Sequence, residues 1–182
     1  MAEQRKYTRT TKSAVKSKPV DEYGHLQPQA IDFEEAVLGA LMIEKDAYSI
    51  VSEILRPESF YDHKHQLLYK AITTLAMRQQ PIDILTVAEQ LRSTGELEEA
   101  GGPFYITQLS GKVASSAHIE YHARIIAQKF LARELITFTS NIQTKAFDAT
   151  QDVDDLMQEA EGKLFEISQK NMKKDYTQIN PV

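Results

Sequence analysis

The sequence predicts an all-α protein: a compact multi-helix head followed by a projecting antiparallel helical hairpin. Three observations carry that prediction. From Pro28 onward apolar residues recur every three or four positions, and strand-like alternation is scarce. Up to Lys112, glycine and proline mostly punctuate the periodic runs, which cuts them into short helices. From Ser116 to Phe147 neither residue occurs, so a single helix of roughly 45 Å is expected at ~1.5 Å per residue.

The first helix is expected in "AIDFEEAVLGALMIE". Asp32, Glu34 and Glu35 fill its first turn, where carboxylates oppose the helix dipole, and Val37, Leu38, Leu41 and Met42 form its apolar face. Gly39 stands in mid-helix, where it costs about 1 kcal/mol against alanine. It marks either the close approach of another backbone or a glycine that is merely tolerated. "DAYSIVSEIL" is a second short helix, stopped by Pro57. In "SFYDHKHQLLYKAITTLAMRQ", Leu67, Leu68, Ala71, Ile72 and Leu75 give an inward stripe. "PIDILTVAEQLRSTGEL" follows, with Asp83 as N-cap and Gly95 closing the helix in a left-handed conformation. "AGGPFYITQLSG" reads as a short helix with proline in its first turn.

On the long helix Ala123, Ala127, Leu131, Leu135, Phe138, Ile142 and Ala146 form one stripe, and Ile119, Ile126 and Phe130 a second strip beside its first half. After the turn "DATQ", Asp152 caps a last helix, "DVDDLMQEAEGKLFEISQKNMKK", with Val153, Leu156, Ala160, Leu164 and Ile167 along one side and Lys170, Lys173 and Lys174 at its end. So short a turn makes the two helices antiparallel neighbours. Leu135 and Phe138 are expected to meet Leu156 and Leu164 inside the hairpin. Apolar residues on both sides of the long helix cannot all face one short partner helix, and burial stabilises each only when it is covered. The flanking strip, Ile126 and Phe130 above all, is therefore expected to face another chain. The alternative is a hairpin folded back on the head. The expected organisation is a disordered basic arm over 1–27, a head over 28–115, a hairpin over 116–172 and the start of a linker over 173–182.

Composition narrows the function classes. The 182 residues contain no cysteine, which removes disulfides and thiolate metal sites and suits a reducing cytoplasm. No secretory signal and no membrane-length apolar run is visible. The first twenty residues carry six Lys and Arg against one Glu, a net +5, so the overall charge of −5 leaves −10 on the remainder. Such an arm is either a solvated tail or a reach toward nucleic acid or an acidic partner.

Catalytic signatures are missing. His118 and His122 stand i, i+4 and share a helix face, but the zinc-protease pattern H-E-x-x-H needs glutamate directly after the first histidine, and Ile119 is there. Glu120 points roughly 200° away at ~100° per residue. His63 and His65, at i, i+2, are a weaker pair still. Gly111–Lys112 and Gly162–Lys163 lack the rest of a phosphate-binding loop, and no nucleophile elbow or thiol exists. No catalytic, cofactor-binding or metal-ligating residue is therefore expected. The residues alone give an all-helical, acidic, oligomerising interaction domain.

Four segments, "EEAVLGALMI", "FYDHKHQLLYKAI", "PIDILTVAEQLRSTGELEEAGGPFYITQL" and "HARIIAQKFLARELI", with "DLMQEAEGKLFEI" after them, resemble in order and spacing the N-terminal domain of bacterial replicative DNA helicases of the DnaB type. The resemblance covers residues 28–170. It implies a non-catalytic collar domain that pairs through its hairpin into dimers, and in the parent into a hexamer as a trimer of dimers. It further implies DnaG-type primase and a helicase loader as partners, and DNA contact only through the full-length ring. ATP, Mg and unwinding are implied for a separate C-terminal domain that these residues do not contain, so the chain resembles a fragment. The subunit interface is expected among Ile119, Ile126, Phe130, Leu131, Leu135, Phe138, Leu156 and Leu164. A nucleic-acid binder acting through the basic arm is the alternative, and it would show steep salt dependence.

Overall fold

The computed structural model describes residues 26–112 and 118–172. The basic arm, apart from its last two residues, and the linker segment 173–182 lie outside the described residues, as do the side chains of Lys170, Lys173 and Lys174. Among the described residues there are seven α-helices: α1 (Ile31–Leu41), α2 (Ala47–Ser52), α3 (His63–Met77), α4 (Ile84–Thr94), α5 (Gly102–Gly111), α6 (Ile119–Ala146) and α7 (Val153–Met172). A 3-10 turn, Pro57–Ser59, joins α2 to α3. Helix α2 ends at Ser52, short of the stop expected at Pro57, and Pro57 instead opens the 3-10 turn.

The helix ends follow local chemistry. Asp62 Oδ1 accepts from the Lys64 N–H at 2.9 Å at the start of α3. Asp83 Oδ1 accepts from the Leu85 and Thr86 N–H groups, and the Thr86 hydroxyl accepts from the Asp83 N–H in return, each at 2.9 Å. That reciprocal box satisfies three donors that the first turn of α4 leaves free. Gly95 ends α4 at φ +74°. Asp152 caps α7 by accepting from the Asp154 and Asp155 N–H groups at 2.8 and 3.3 Å.

Helix α1 lies at the centre of the head, against α3, α5 and α6, while α3 packs on α4, α4 on α5, and α2 on α6. Leu38, Leu68, Ile72, Leu91, Ile106 and Leu109 are fully buried between them. Ile119, Ala123 and Ile126 of α6 belong to the same core. The head therefore runs into α6, past the boundary expected at residue 116. The helix keeps contact with the head as far as Arg133, and its later part runs antiparallel to α7. Lys145 Nζ donates to both Glu159 carboxylate oxygens across the hairpin, at 2.5 and 2.7 Å. No helix among the described residues is long and apolar enough to cross a membrane.

Candidate interaction surface

A concentration of titratable groups lies inside the head. Glu34 and Glu35, expected in the first turn of α1, are both buried. Glu34 Oε1 accepts from the Tyr61 N–H at 2.7 Å, and Glu34 Oε2 lies 2.7 Å from His65 Nδ1. His65 Nε2 lies 2.6 Å from the Tyr105 hydroxyl. That hydroxyl donates to Glu35 Oε1 at 3.3 Å, and Lys112 pairs with the other Glu35 oxygen. Gly101, at φ +99°, makes room for this arrangement, because a Cβ there would meet the Tyr105 ring at 2.7 Å.

A carboxylate–histidine–hydroxyl series invites a catalytic reading, and its chemistry argues against one. A nucleophilic hydroxyl needs a lowered pKa or a base with access to substrate. Burial, and then the Glu35 carboxylate, push the Tyr105 hydroxyl well above the ordinary phenol value. Both ring nitrogens of His65 are engaged, and the ring is fully buried. The network ties α1 to α3 and α5, and every buried polar member has a partner, which is what a stabilising internal network requires. Tyr69 is handled alike: its buried hydroxyl, raised in pKa chiefly by burial, donates to the Leu55 carbonyl at 3.2 Å.

The histidines considered as metal ligands are placed elsewhere. The His122 ring stands edge-on to Phe33 at 5.1 Å. His118 precedes α6 as its N-cap residue without a side-chain cap bond. His63 reaches Glu99 at 3.1 Å on the surface. Among the described residues no three His, Asp or Glu side chains converge as ion ligands.

The hairpin presents what the head conceals. Val153, Met157 and Leu164 share one side of α7, within about 40° of each other at ~100° per residue, and Phe165 lies about 80–120° further round. All four are exposed, Val153 at 70% and Phe165 at 63%. Leu135, Ile136 and Phe147 are exposed along α6. Seven large apolar side chains exposed on one two-helix arm are a concentration of the kind that marks an interaction surface.

The expected interface residues divide three ways. Ile119 and Ile126 do not face outward: they are buried in this chain's own head, at 6% and 1% exposure. The strip expected to meet a second subunit is the one that meets the chain itself, because α6 must first cross α1 and α2 before it projects. Phe130 and Phe138 are half-buried and line, with Ile142 and Ile167, a cleft of about 380 Å³ between α6 and α7. Leu131 and Leu156 are half-buried. Leu135 and Leu164, expected as partners inside the hairpin, are on the open side. Ile167 is the buried contact on α7 instead.

A sequence profile of the DnaB-like helicase N terminal domain matches residues 26–128. The chain is 43% identical over 159 residues to the replicative DNA helicase DnaB of Rhodothermus marinus, covering 87% of this chain and 17% of that relative. It therefore spans less than a fifth of that protein's length. Among solved structures, the crystal structure of the N-terminal domain of DnaB helicase from Mycobacterium tuberculosis matches with a TM-score of 0.72 and 34% identity, over 77% of this chain and 98% of that one. A structure of a DnaB-like replicative helicase and its interactions with primase matches with a TM-score of 0.62 and 28% identity, over 75% of this chain and 30% of that one.

Proposed function

The chain belongs to the family of DnaB-like helicase N-terminal domains, and we propose that it acts as a collar that joins helicase subunits through its hairpin and offers the assembled ring to a DnaG-type primase and a helicase loader. Pairing of two hairpins into dimers, and of three dimers into a hexamer, is the assembly this reading calls for. The 182 residues contain no phosphate-binding loop, so ATP, Mg and duplex unwinding fall to another domain of the parent, and DNA is engaged through the ring.

The observation that carries the proposal is the uncovered apolar side of the hairpin, Leu135 and Ile136 with Val153, Met157, Leu164 and Phe165. Exposed apolar area of this kind is favourable only when another surface removes it from water. One structural neighbour, a DnaB-like replicative helicase, interacts with primase, which supports primase as the further partner.

Sedimentation velocity on Leu164→Asp/Phe165→Asp tests the pairing. A charge in an apolar interface costs several kcal/mol, so the variant should sediment as a monomer at concentrations where the parent chain associates. Its helical circular dichroism should be unchanged, because neither residue is in the core. A variant that sediments as the parent does rules out this side of the hairpin as the interface.

A further inference from the structure

Arg133 stands on α6 where the helix leaves the head. Its Nη1 donates to the Pro28 carbonyl and its Nη2 to the Ser59 carbonyl, each at 2.8 Å. Those acceptors belong to two different segments, the chain entering α1 and the 3-10 turn before α3. The guanidinium also lies over the Tyr61 ring at 5.5 Å and the Phe130 ring at 5.6 Å. Burial disfavours its charge and the nearby Glu34 carboxylate favours it. Glu34 is itself fixed to Tyr61 and His65, so the guanidinium is backed by the head's internal network. On its outer side Arg133 lines the cleft between α6 and α7 together with Phe130 and Ile167.

We infer that Arg133 is a positioning residue: it is the joint that sets the angle at which the hairpin projects from the head. Apolar contact is non-directional and tolerates rolling and tilting. A planar fork with two acceptors on separate segments does not. The leverage is large. From Arg133 to the end of α6 is about 20 Å at ~1.5 Å per residue, so a play of about 10° at the joint moves the tip by roughly 3–4 Å. Packed helices need a separation of about 8–10 Å in register. A hairpin free to swing that far would present its apolar side without a fixed register. The inference concerns how the hairpin is held, and it stands or falls apart from what covers it.

The chain has no cysteine, so two introduced ones can carry the only spin labels. Gln108 on α5 and Gln151 at the hairpin turn are exposed. Pulsed electron–electron distances between labels at Gln108→Cys and Gln151→Cys, with labelled chain diluted in unlabelled chain, read the head-to-tip distance within one molecule. The parent should give one narrow distance. Arg133→Met should broaden it, and so should Arg133→Lys, whose single ammonium cannot serve both carbonyls while stacking on Tyr61. If Arg133→Met fails to fold, the lysine variant alone reads the joint. Leu68→Ala, deep in the head core, is the control for general loss of stability: it should lower Tm and leave the distance narrow. A narrow distance in the foldable Arg133 variants overturns the inference, as does equal broadening in Leu68→Ala.

Discussion

The head and the hairpin use the same residue types to different ends. Leu38, Leu68, Ile72 and Leu91 of the head are shut off from solvent entirely. Among the described residues beyond Ile126, Ile167 is the one buried side chain, while two leucines, one isoleucine and two phenylalanines of the hairpin are exposed to water. The head also pairs the buried carboxylates of Glu34 and Glu35 within itself. A hairpin fastened at its base by Arg133 and along its length by an ion pair across the helices, Lys145 to Glu159, is half of a surface. Stability is concentrated in one region and association in the other, and substitutions should sort accordingly.

The largest effect should come from Glu34→Ala. Removing that carboxylate leaves the Tyr61 N–H and His65 Nδ1 without their partner inside the head. Breaking one side of a buried charged network costs about 3–5 kcal/mol. Urea unfolding followed by circular dichroism, at a concentration where the chain is monomeric, should record that loss. A cost below about 1 kcal/mol would mean that the network contributes little to the head.

The next comparison uses one chemistry at two sites. Leu68→Ala opens a cavity in a sealed core and should cost about 2–5 kcal/mol in the same assay. Leu164→Ala removes a side chain that is 52% exposed and should change monomer unfolding by less than about 0.5 kcal/mol. Its effect should appear instead as weaker self-association. Equal destabilisation by the two substitutions would erase the division between head and hairpin.

Much of this division was legible in the residues. The caps at Asp83 and Asp152 and the stop at Gly95 were readable because they rest on contacts within four residues. So was the hairpin, from a glycine- and proline-free run followed by a tight turn. What local periodicity could not assign was the use of each side of α6. That helix meets the head with Ile119, Ala123 and Ile126 and meets α7 with Phe138 and Ile142, a rotation of the covered side midway along one element. Nothing in the sequence marks where one partner replaces another. The buried network carried a faint signal. Glu34 falls in phase with Leu38 and Leu41, and His65 with Leu68, Ile72 and Leu75, so both stand on core-facing sides at helical spacing. A polar residue in phase with a core is a candidate for internal pairing, and its partner lies 31 positions away, beyond any local pattern.

The smallest effect tests whether the exposed rim of the head adds to its stability at all. Lys70 Nζ donates to Glu96 Oε1 at 2.9 Å, tying α3 to the turn after α4. That contact, helped by the Thr94 hydroxyl, holds the Glu96 carboxyl below its ordinary pKa. A carboxyl lowered in the folded chain stabilises it above the unfolded pKa, about 4.3 for glutamate, and that contribution fades as pH falls through the folded value. Lys70 is 58% exposed, so solvent screening limits the pair to a few tenths of a kcal/mol. Lys70→Met should therefore cost that much at pH 7, less in high salt, and nothing once Glu96 is protonated in both states. Thermal melts of parent and variant across that range check the sign. A difference that persists unchanged on acidification would mean that the lysine stabilises the head through its methylene chain and not through its charge.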